Sequence, residues 1–193
     1  FLESALATGE GFLDLMIVGV IEETAKFLSV YLYMYRKNEF DEVMDGIIYS
    51  AAASLGFASL ENLLYVFMYG PLVMVGRAIL STLGHVLFAS FWGYALGAKK
   101  VEGRNAVPFG LILSMIAHGI FDVVLMADFW PVNLLVIPLM IVLYRSMSAR
   151  ISASLATSPF GGISTEMKCS KCGVDLPAGS RFCPGCGREV HKV

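Results

Sequence analysis

The segment from Gly19 to Tyr33 constrains the fold more than any other part of the chain. It is apolar enough to lie in a membrane, yet Glu22, Glu23 and Lys26 fall within one helical turn of it. On an insertion scale, each such charge near the centre of a membrane helix costs about 2.5–3.5 kcal/mol. Ionisable side chains at that depth face the interior of a helix bundle, where they pair with one another. The segment therefore predicts a bundle whose other helices supply polar partners.

The composition places the chain in the membrane class. Hydrophobic residues make up 56 % of it and charged residues only 16 %, against about 25 % charged residues in a soluble domain. The apolar segments cover about 12–35, 46–69, 72–98, 106–126 and 132–144. Most of them reach the roughly 20 residues that a membrane-spanning helix needs. We therefore predict an all-α polytopic membrane helix bundle of about five transmembrane helices. The net charge of −2 gives no reason to expect nucleic acid as a partner.

Basic residues predict the orientation of this bundle. If five helices alternate in direction, one side of the membrane holds Arg36, Lys37, Lys99, Lys100, Arg104, Arg145 and Arg150. The loops at 70–71 and 127–131 on the other side carry no Lys or Arg. The positive-inside rule then predicts a multi-pass protein of the cell membrane with a cytoplasmic C-terminal tail. The chain begins with Phe1 and not with Met, which leaves open whether residues precede it.

The tail carries a metal-binding pattern. Cys169 and Cys172 form one CxxC pair, Cys183 and Cys186 form a second, and a glycine follows each pair. Four thiolates are the tetrahedral set of a closed structural zinc site, whereas cytoplasmic placement disfavours the alternative of two disulfides. We predict a membrane domain at 1–147, a flexible linker rich in Ser, Ala, Thr and Gly at 148–167, and a zinc ribbon at 168–193. A closed site leaves no position for catalysis, so we expect the ribbon to contact a cytoplasmic protein.

Three further apolar segments carry ionisable groups near mid-depth. The second contains Glu61 and the third contains His85. The fourth contains His118 and Asp122, whose spacing of four residues places them on one helix face. The sequence therefore predicts one polar centre lined by four helices. Carboxylates and imidazoles in such a centre can activate a water molecule, with or without a metal ion.

In the first helix, the two glutamates have different directions. Glu22 and Glu23 lie about 100° apart around a helix axis, and Lys26 can pair with either. One carboxylate can thus face a reaction centre while the other binds the amine. A buried ion triad with a purely structural role is the alternative.

The ordered set of these motifs resembles one family. The turn from Glu22 to Lys26 resembles the EExxK motif of the PrsW family of intramembrane proteases, and residues 56–62 (GFASLEN) resemble its FxxxEN motif. His85 resembles the histidine of its third motif helix, and the segment from His118 to Asp122 resembles its HxxxD/N motif. The related CAAX prenyl endopeptidases and bacteriocin-immunity-type proteases carry a histidine where this chain has Glu61, which favours PrsW.

The resemblance implies an endopeptidase that hydrolyses membrane-associated proteins or peptides within or beside the bilayer. It implies that Glu22 is the general base and that Glu23 pairs with Lys26. It further implies that His118 and Asp122 orient the water or stabilise the oxyanion.

The need for a catalytic metal stays open, because the PrsW family is often labelled a metalloprotease whereas its prenyl-endopeptidase relatives are described as glutamate-dependent. The ligand candidates for a catalytic zinc are Glu61, His85, His118 and Asp122. Two alternatives to a protease also remain: a proton- or metal-coupled transporter, and a catalytically inactive scaffold that displays the zinc ribbon.

Overall fold

The computed structural model describes residues 11–127, 129–158, 168–174, 176 and 182–189. Within these ranges the chain forms five long helices and one of a single turn. The helices are α1 (Phe12–Tyr33), α2 (Val43–Tyr69), α3 (Met74–Glu102), α4 (Val107–Leu125), α5 (Trp130–Asn133) and α6 (Val136–Thr157), and a 3-10 turn (Pro71–Val73) links α2 to α3. An isolated bridge between Phe182 and Glu189 is the one strand-type pairing with two described partners. The predicted all-α bundle is therefore confirmed.

Four of the described helical stretches are long and apolar enough to cross a membrane. They are Val43–Tyr69, Ala78–Glu102, Val107–Leu125 and Trp130–Thr157. These helices make the chain a multi-pass membrane protein, as predicted. Helix α1 has 22 residues, which at about 1.5 Å per residue also match the hydrocarbon thickness. Because of its charged residues, α1 is not one of the four helices that are apolar enough to cross a membrane. That α1 crosses the membrane therefore stays a prediction.

The polypeptide divides into two compact units, 1–154 and 155–193. In the first unit, α1 packs on α4, α4 on α3, and α3 on α2. The α1–α4 contact is close because glycines face each other there. A Cβ atom added at Gly19 would lie 3.0 Å from the backbone nitrogen of Gly119 and 3.3 Å from the Cβ of His118. This approach brings the polar turn of α1 against the histidine of α4.

Glycines also allow the backbones of α2 and α3 to touch. A Cβ atom added at Gly93 would overlap the hydroxyl of Ser50 and lie 2.6 Å from the carbonyl oxygen of Gly46. Gly97 meets the backbone of Val43 in the same way. Small residues at such contacts are the usual means by which membrane helices associate closely.

We expect Gly93→Ala to lower the stability of the bundle, because the added methyl group forces α2 and α3 apart. Overpacking of this kind costs about 1–3 kcal/mol. Gly56→Ala on α2 is the matched control, since a Cβ atom there meets nothing within 4 Å. Thermal unfolding of the full chain in detergent, followed by circular dichroism, should show a lower midpoint for Gly93→Ala alone. Equal midpoints for the two variants would contradict the close packing.

Helix α6 differs from the segment and the linker that the sequence predicted. It begins at Val136 and continues to Thr157, so residues 148–157 are helical. The serines there are compatible with a helix because they bond within it; the Ser154 hydroxyl donates to the Arg150 carbonyl oxygen at 2.9 Å. The Arg150 guanidinium also lies 4.1 Å from the centre of the Phe91 ring. Residues 159–167, the rest of the predicted linker, lie outside the described residues.

The second unit contains two similar backbone turns at the cysteine pairs. The N–H of Gly173 donates to the carbonyl of Cys169, and the N–H of Gly187 donates to that of Cys183. Both glycines have positive φ, 73° and 68°, which glycine adopts without strain. The cysteine sulfurs lie within 4.8 Å of one another. Backbone N–H groups of Lys171 and Cys172 lower the pKa of the Cys169 thiol to about 6, which favours the metal-binding thiolate.

Candidate active site

Among the described side chains of the first unit, Glu23 is the most enclosed ionisable group, with 0 % of its side chain exposed. One of its oxygens accepts hydrogen bonds from Trp92 Nε1 at 2.9 Å and from the Ser114 hydroxyl at 2.7 Å. The other accepts from Lys26 Nζ at 2.8 Å and lies 3.1 Å from His118 Nδ1. Four donors from three helices occupy the carboxylate, so Glu23 holds α1, α3 and α4 together. It has no lone pair left for a substrate.

The ammonium group of Lys26 lies at the junction of α1 and α3, with its side chain 1 % exposed. Besides its contact with Glu23, it lies 2.8 Å from His85 Nδ1 and 3.4 Å from Glu22 Oε2. The ring of Phe57 covers it at 4.5 Å. An ammonium group has three donors and no acceptor. The three polar contacts therefore use its whole hydrogen-bonding capacity.

This contact determines which nitrogen of His85 carries the proton. Because Lys26 can only donate, His85 Nδ1 accepts, and in the neutral ring the proton is on Nε2. Nε2 lies 2.8 Å from Glu61 Oε2 on α2, to which it donates. The imidazole thus connects the Lys26 ammonium to a carboxylate on the opposite edge of its ring. Ser81 lies 3.4 Å from the same Nε2 atom.

His118 has the opposite arrangement. Its Nδ1 donates to Glu23, which leaves Nε2 as the atom that faces Glu22 and Asp122, at 3.7 Å and 3.5 Å. The ring stacks on Phe88 with the ring centres 4.8 Å apart. The imidazole is therefore fixed in orientation by a carboxylate and an aromatic ring, while its second nitrogen faces the centre.

Glu22 is the more open of the two neighbouring glutamates. Its side chain is 13 % exposed, against 0 % for Glu23. Its Oε2 atom accepts from Lys26 and lies 3.9 Å from His85 Nδ1. Asp122 and Glu61, 18 % and 15 % exposed, are the other carboxylates at the edge of the centre. Of the two neighbouring glutamates, Glu22 is thus the one that can accept a further partner.

The structure brings together all of the ionisable residues that the sequence singled out. They are Glu22, Glu23, Lys26, Glu61, His85, His118 and Asp122. Sequence reasoning missed Trp92 and Ser114, although each carries a signal. Ser114 precedes His118 by four residues and so shares its helix face. A tryptophan in the middle of an apolar segment is away from the membrane interface where this residue is enriched, and its N–H needs a partner there.

We expect Ser114→Ala to lower the stability of the centre, because it removes one donor from the buried Glu23 carboxylate. A hydrogen bond to a charged group contributes about 1.5–3 kcal/mol. Ser90→Ala is the matched control. Ser90 is equally buried on α3, but its hydroxyl donates to the Leu87 carbonyl of its own helix. The unfolding midpoint in detergent should fall for Ser114→Ala and stay nearly unchanged for Ser90→Ala. A fall for Ser90→Ala alone would contradict the assignment.

Comparison with known proteins identifies the family. A model described as PrsW family intramembrane metalloprotease matches residues 2–147, three quarters of the chain. The chain belongs to the PrsW family. A zinc-ribbon domain model matches residues 168–190 and includes the four cysteines. The PrsW match covers every residue of the polar centre, and the ribbon lies beyond it.

Curated relatives in this family are named protease PrsW. The protein of Geobacillus kaustophilus is 37 % identical over 126 residues, which cover 64 % of this chain and 55 % of the relative. That of Clostridioides difficile is 32 % identical over 136 residues, covering 65 % and 57 %. That of Halalkalibacterium halodurans is 34 % identical over 134 residues, covering 67 % and 61 %. The alignments thus span little more than half the length of these PrsW relatives. No solved structure matches the chain.

The description of the PrsW family as metalloproteases raises the question of whether the centre fits a metal ion. Among the described residues outside the tail, one set of donors converges: Glu22, His85 and His118 offer atoms within 4.8 Å of one another. Glu61 lies on the far edge of the His85 ring and is not part of this set. Lys26 Nζ lies beside the line that joins His85 Nδ1 to Glu22 Oε2. A metal ion bound by both atoms would lie near the middle of that line. This point is closer to the ammonium nitrogen than His85 Nδ1 or Glu22 Oε2 is, so the ion and the ammonium group would collide. The residues therefore do not fit a three-ligand metal ion while Lys26 holds this position.

Proposed function

We propose that this PrsW family member is an intramembrane endopeptidase that hydrolyses peptide bonds of membrane-associated proteins or peptides with a water activated by Glu22. The observation that carries the proposal is the difference between two adjacent glutamates. Glu23 is saturated by four donors, whereas Glu22 is partly exposed with a single donor in contact. Of these two carboxylates, Glu22 has the free acceptor capacity and the access that a general base requires.

The proposed reaction uses the side chains of the centre in two steps. Glu22 accepts a proton from water, and the water oxygen forms a bond to the carbonyl carbon of the peptide while the carbonyl electron pair moves to its oxygen. His118, oriented by Glu23 and flanked by Asp122, accepts a hydrogen bond from the water at Nε2 and so orients it. The electron pair on the oxyanion then re-forms the C=O bond as the C–N bond breaks. The electrons of that bond go to nitrogen, and the carboxyl group of Glu22 returns the proton to the leaving amine. The products are a carboxylic acid and an amine.

Lys26 and His85 act on Glu22 rather than on the substrate in this proposal. Lys26 donates to Glu22 and is itself fixed by Glu23 and His85. Glu61 fixes the other edge of the His85 ring. This chain of contacts places the base through groups on α2 and α3, so the three residues are positioning residues.

We also propose the placement and role of the tail. The excess of basic residues at one end of the bundle supports a cytoplasmic position for residues 168–193. The four clustered thiols support one structural zinc ion, whose binding would supply most of the folding free energy of so small a ribbon. All four sulfurs are used by such an ion, so the ribbon would act by contact with a cytoplasmic protein.

Cleavage by the purified full chain in liposomes tests the proposed function. Single-span test proteins are reconstituted with it, and the products are identified by mass spectrometry. We expect two fragments whose masses add up to that of the substrate plus one water. Proton or metal-ion flux without any cleavage would contradict the proposal in favour of a transporter. Neither activity, across a panel of substrates, would favour an inactive scaffold.

A further inference from the structure

We propose that the ammonium group of Lys26 is a built-in cation that takes the place of a metal ion, and that its removal opens a site for a zinc-class dication on Glu22, His85 and His118. This inference deepens the proposed function and rests on it for its catalytic meaning. The geometric part concerns only which cation the three donors bind.

The three donors are nearly arranged for a metal ion already. Zinc bonds of about 2.0–2.1 Å place the donor atoms of a tetrahedral site about 3.4 Å apart. Glu22 Oε2 lies 3.7 Å from His118 Nε2 and 3.9 Å from His85 Nδ1. Side-chain shifts of less than 1 Å would close these two gaps, and the donor atoms of all three residues lie within 4.8 Å of one another. The donor types, one carboxylate and two imidazoles, are also a set that zinc accepts at catalytic sites.

Both imidazoles also carry the supporting contacts that metal-binding histidines need. A histidine ligand usually donates its second ring N–H to a carboxylate or carbonyl, which fixes the tautomer and the ring. His85 donates Nε2–H to Glu61, and His118 donates Nδ1–H to Glu23. Each ring therefore presents its lone pair to the centre, on Nδ1 of His85 and on Nε2 of His118.

Lys26 prevents a metal ion from using these lone pairs. The single lone pair of His85 Nδ1 accepts from the ammonium at 2.8 Å, and it cannot bind a metal ion at the same time. The ammonium cannot move aside into water, because the side chain is 1 % exposed and Phe57 covers it. Glu23 holds it from a third direction at 2.8 Å. A dication beside this fixed positive charge would be repelled in a medium of low dielectric constant.

Counting zinc in the full chain tests the proposal. The chain and its variants are purified in detergent, equilibrated with excess zinc, freed of unbound metal and analysed by inductively coupled plasma mass spectrometry. We expect one zinc ion per unmodified chain, held by the tail cysteines, and two per Lys26→Met chain. The second ion should be lost again when His118→Ala is added. Lys100→Met is the matched control and should stay at one, because Lys100 donates to the backbone carbonyls of Tyr35 and Lys37, away from the centre.

Two outcomes would overturn the proposal. One is a folded Lys26→Met chain that still binds one zinc ion. The other is an unmodified chain that binds two zinc ions and loses the second one in the single variant His118→Ala. This second measurement tests the proposal even if Lys26→Met does not fold. Cleavage is measured on the same samples. An unmodified chain that binds one zinc ion and does not cleave would count against the proposed function alone. An unmodified chain that binds two zinc ions and does cleave would count against the role of Lys26 alone.

Discussion

Glu22→Gln is expected to lower the rate of peptide cleavage by about 10²–10⁴-fold, the usual contribution of a general base. Glutamine keeps the size of the side chain and an oxygen that accepts from Lys26, but it cannot take a proton from water. The unfolding midpoint should stay close to that of the unmodified chain, because only one contact of 3.4 Å is weakened. Cleavage of a single-span protein in liposomes, at enzyme in excess over substrate, measures the chemical step.

Glu39→Gln is the matched control for this experiment. Glu39 is exposed in the connection between α1 and α2, outside the helices that carry the polar centre. Its cleavage rate should equal that of the unmodified chain. Undiminished cleavage by Glu22→Gln would remove Glu22 from the reaction.

Glu23→Ala is expected to destabilise the bundle by about 3–5 kcal/mol, the range seen when one partner of a buried ion pair is removed. The substitution leaves the Lys26 ammonium with one carboxylate fewer. It also leaves Trp92, Ser114 and His118 without an acceptor that each now contacts. The measurement is the unfolding free energy of the full chain in detergent micelles, obtained by titration with a denaturing detergent.

Glu22→Ala is the natural comparison, because it removes the same side chain one position earlier. It should lose cleavage but only a small part of the stability. If Glu22→Ala and Glu23→Ala destabilised the chain equally, the distinction between a reactive and a structural glutamate would be wrong.

The hydropathy of the chain and the free-energy cost of burying charges in a membrane predicted the helix bundle and which ionisable residues meet in its centre. Predominantly apolar segments of about 20 residues predict the number of long helices, since a helix of about that length spans the hydrocarbon core. Ionisable groups are so costly there that those on four helices are expected to meet. The family comparison confirms the PrsW resemblance, which rested on the order of these groups along the chain.

The sequence did not predict which side chains form hydrogen bonds between helices. Trp92 and Ser114 contact Glu23 across helix interfaces, one of which is brought close by Gly19 and Gly119. Such distances depend on packing. The end of α6 was also missed, because serine and alanine fit a linker as well as a helix. Helix geometry predicted that Glu22 and Glu23 point in different directions. Their roles became distinguishable only when the neighbours of each carboxylate were known.

The most direct test of the central claim, that Glu22 activates the attacking water, is a single-turnover cleavage in H₂¹⁸O. Enzyme in liposomes is mixed in excess with a single-span substrate, and both the new carboxyl group and Glu22 are analysed by mass spectrometry. If Glu22 acts as a base, every product carboxyl group carries one ¹⁸O atom and Glu22 carries none. Unlabelled product together with ¹⁸O in Glu22 would contradict the account, because it would show that the carboxylate itself attacks the peptide.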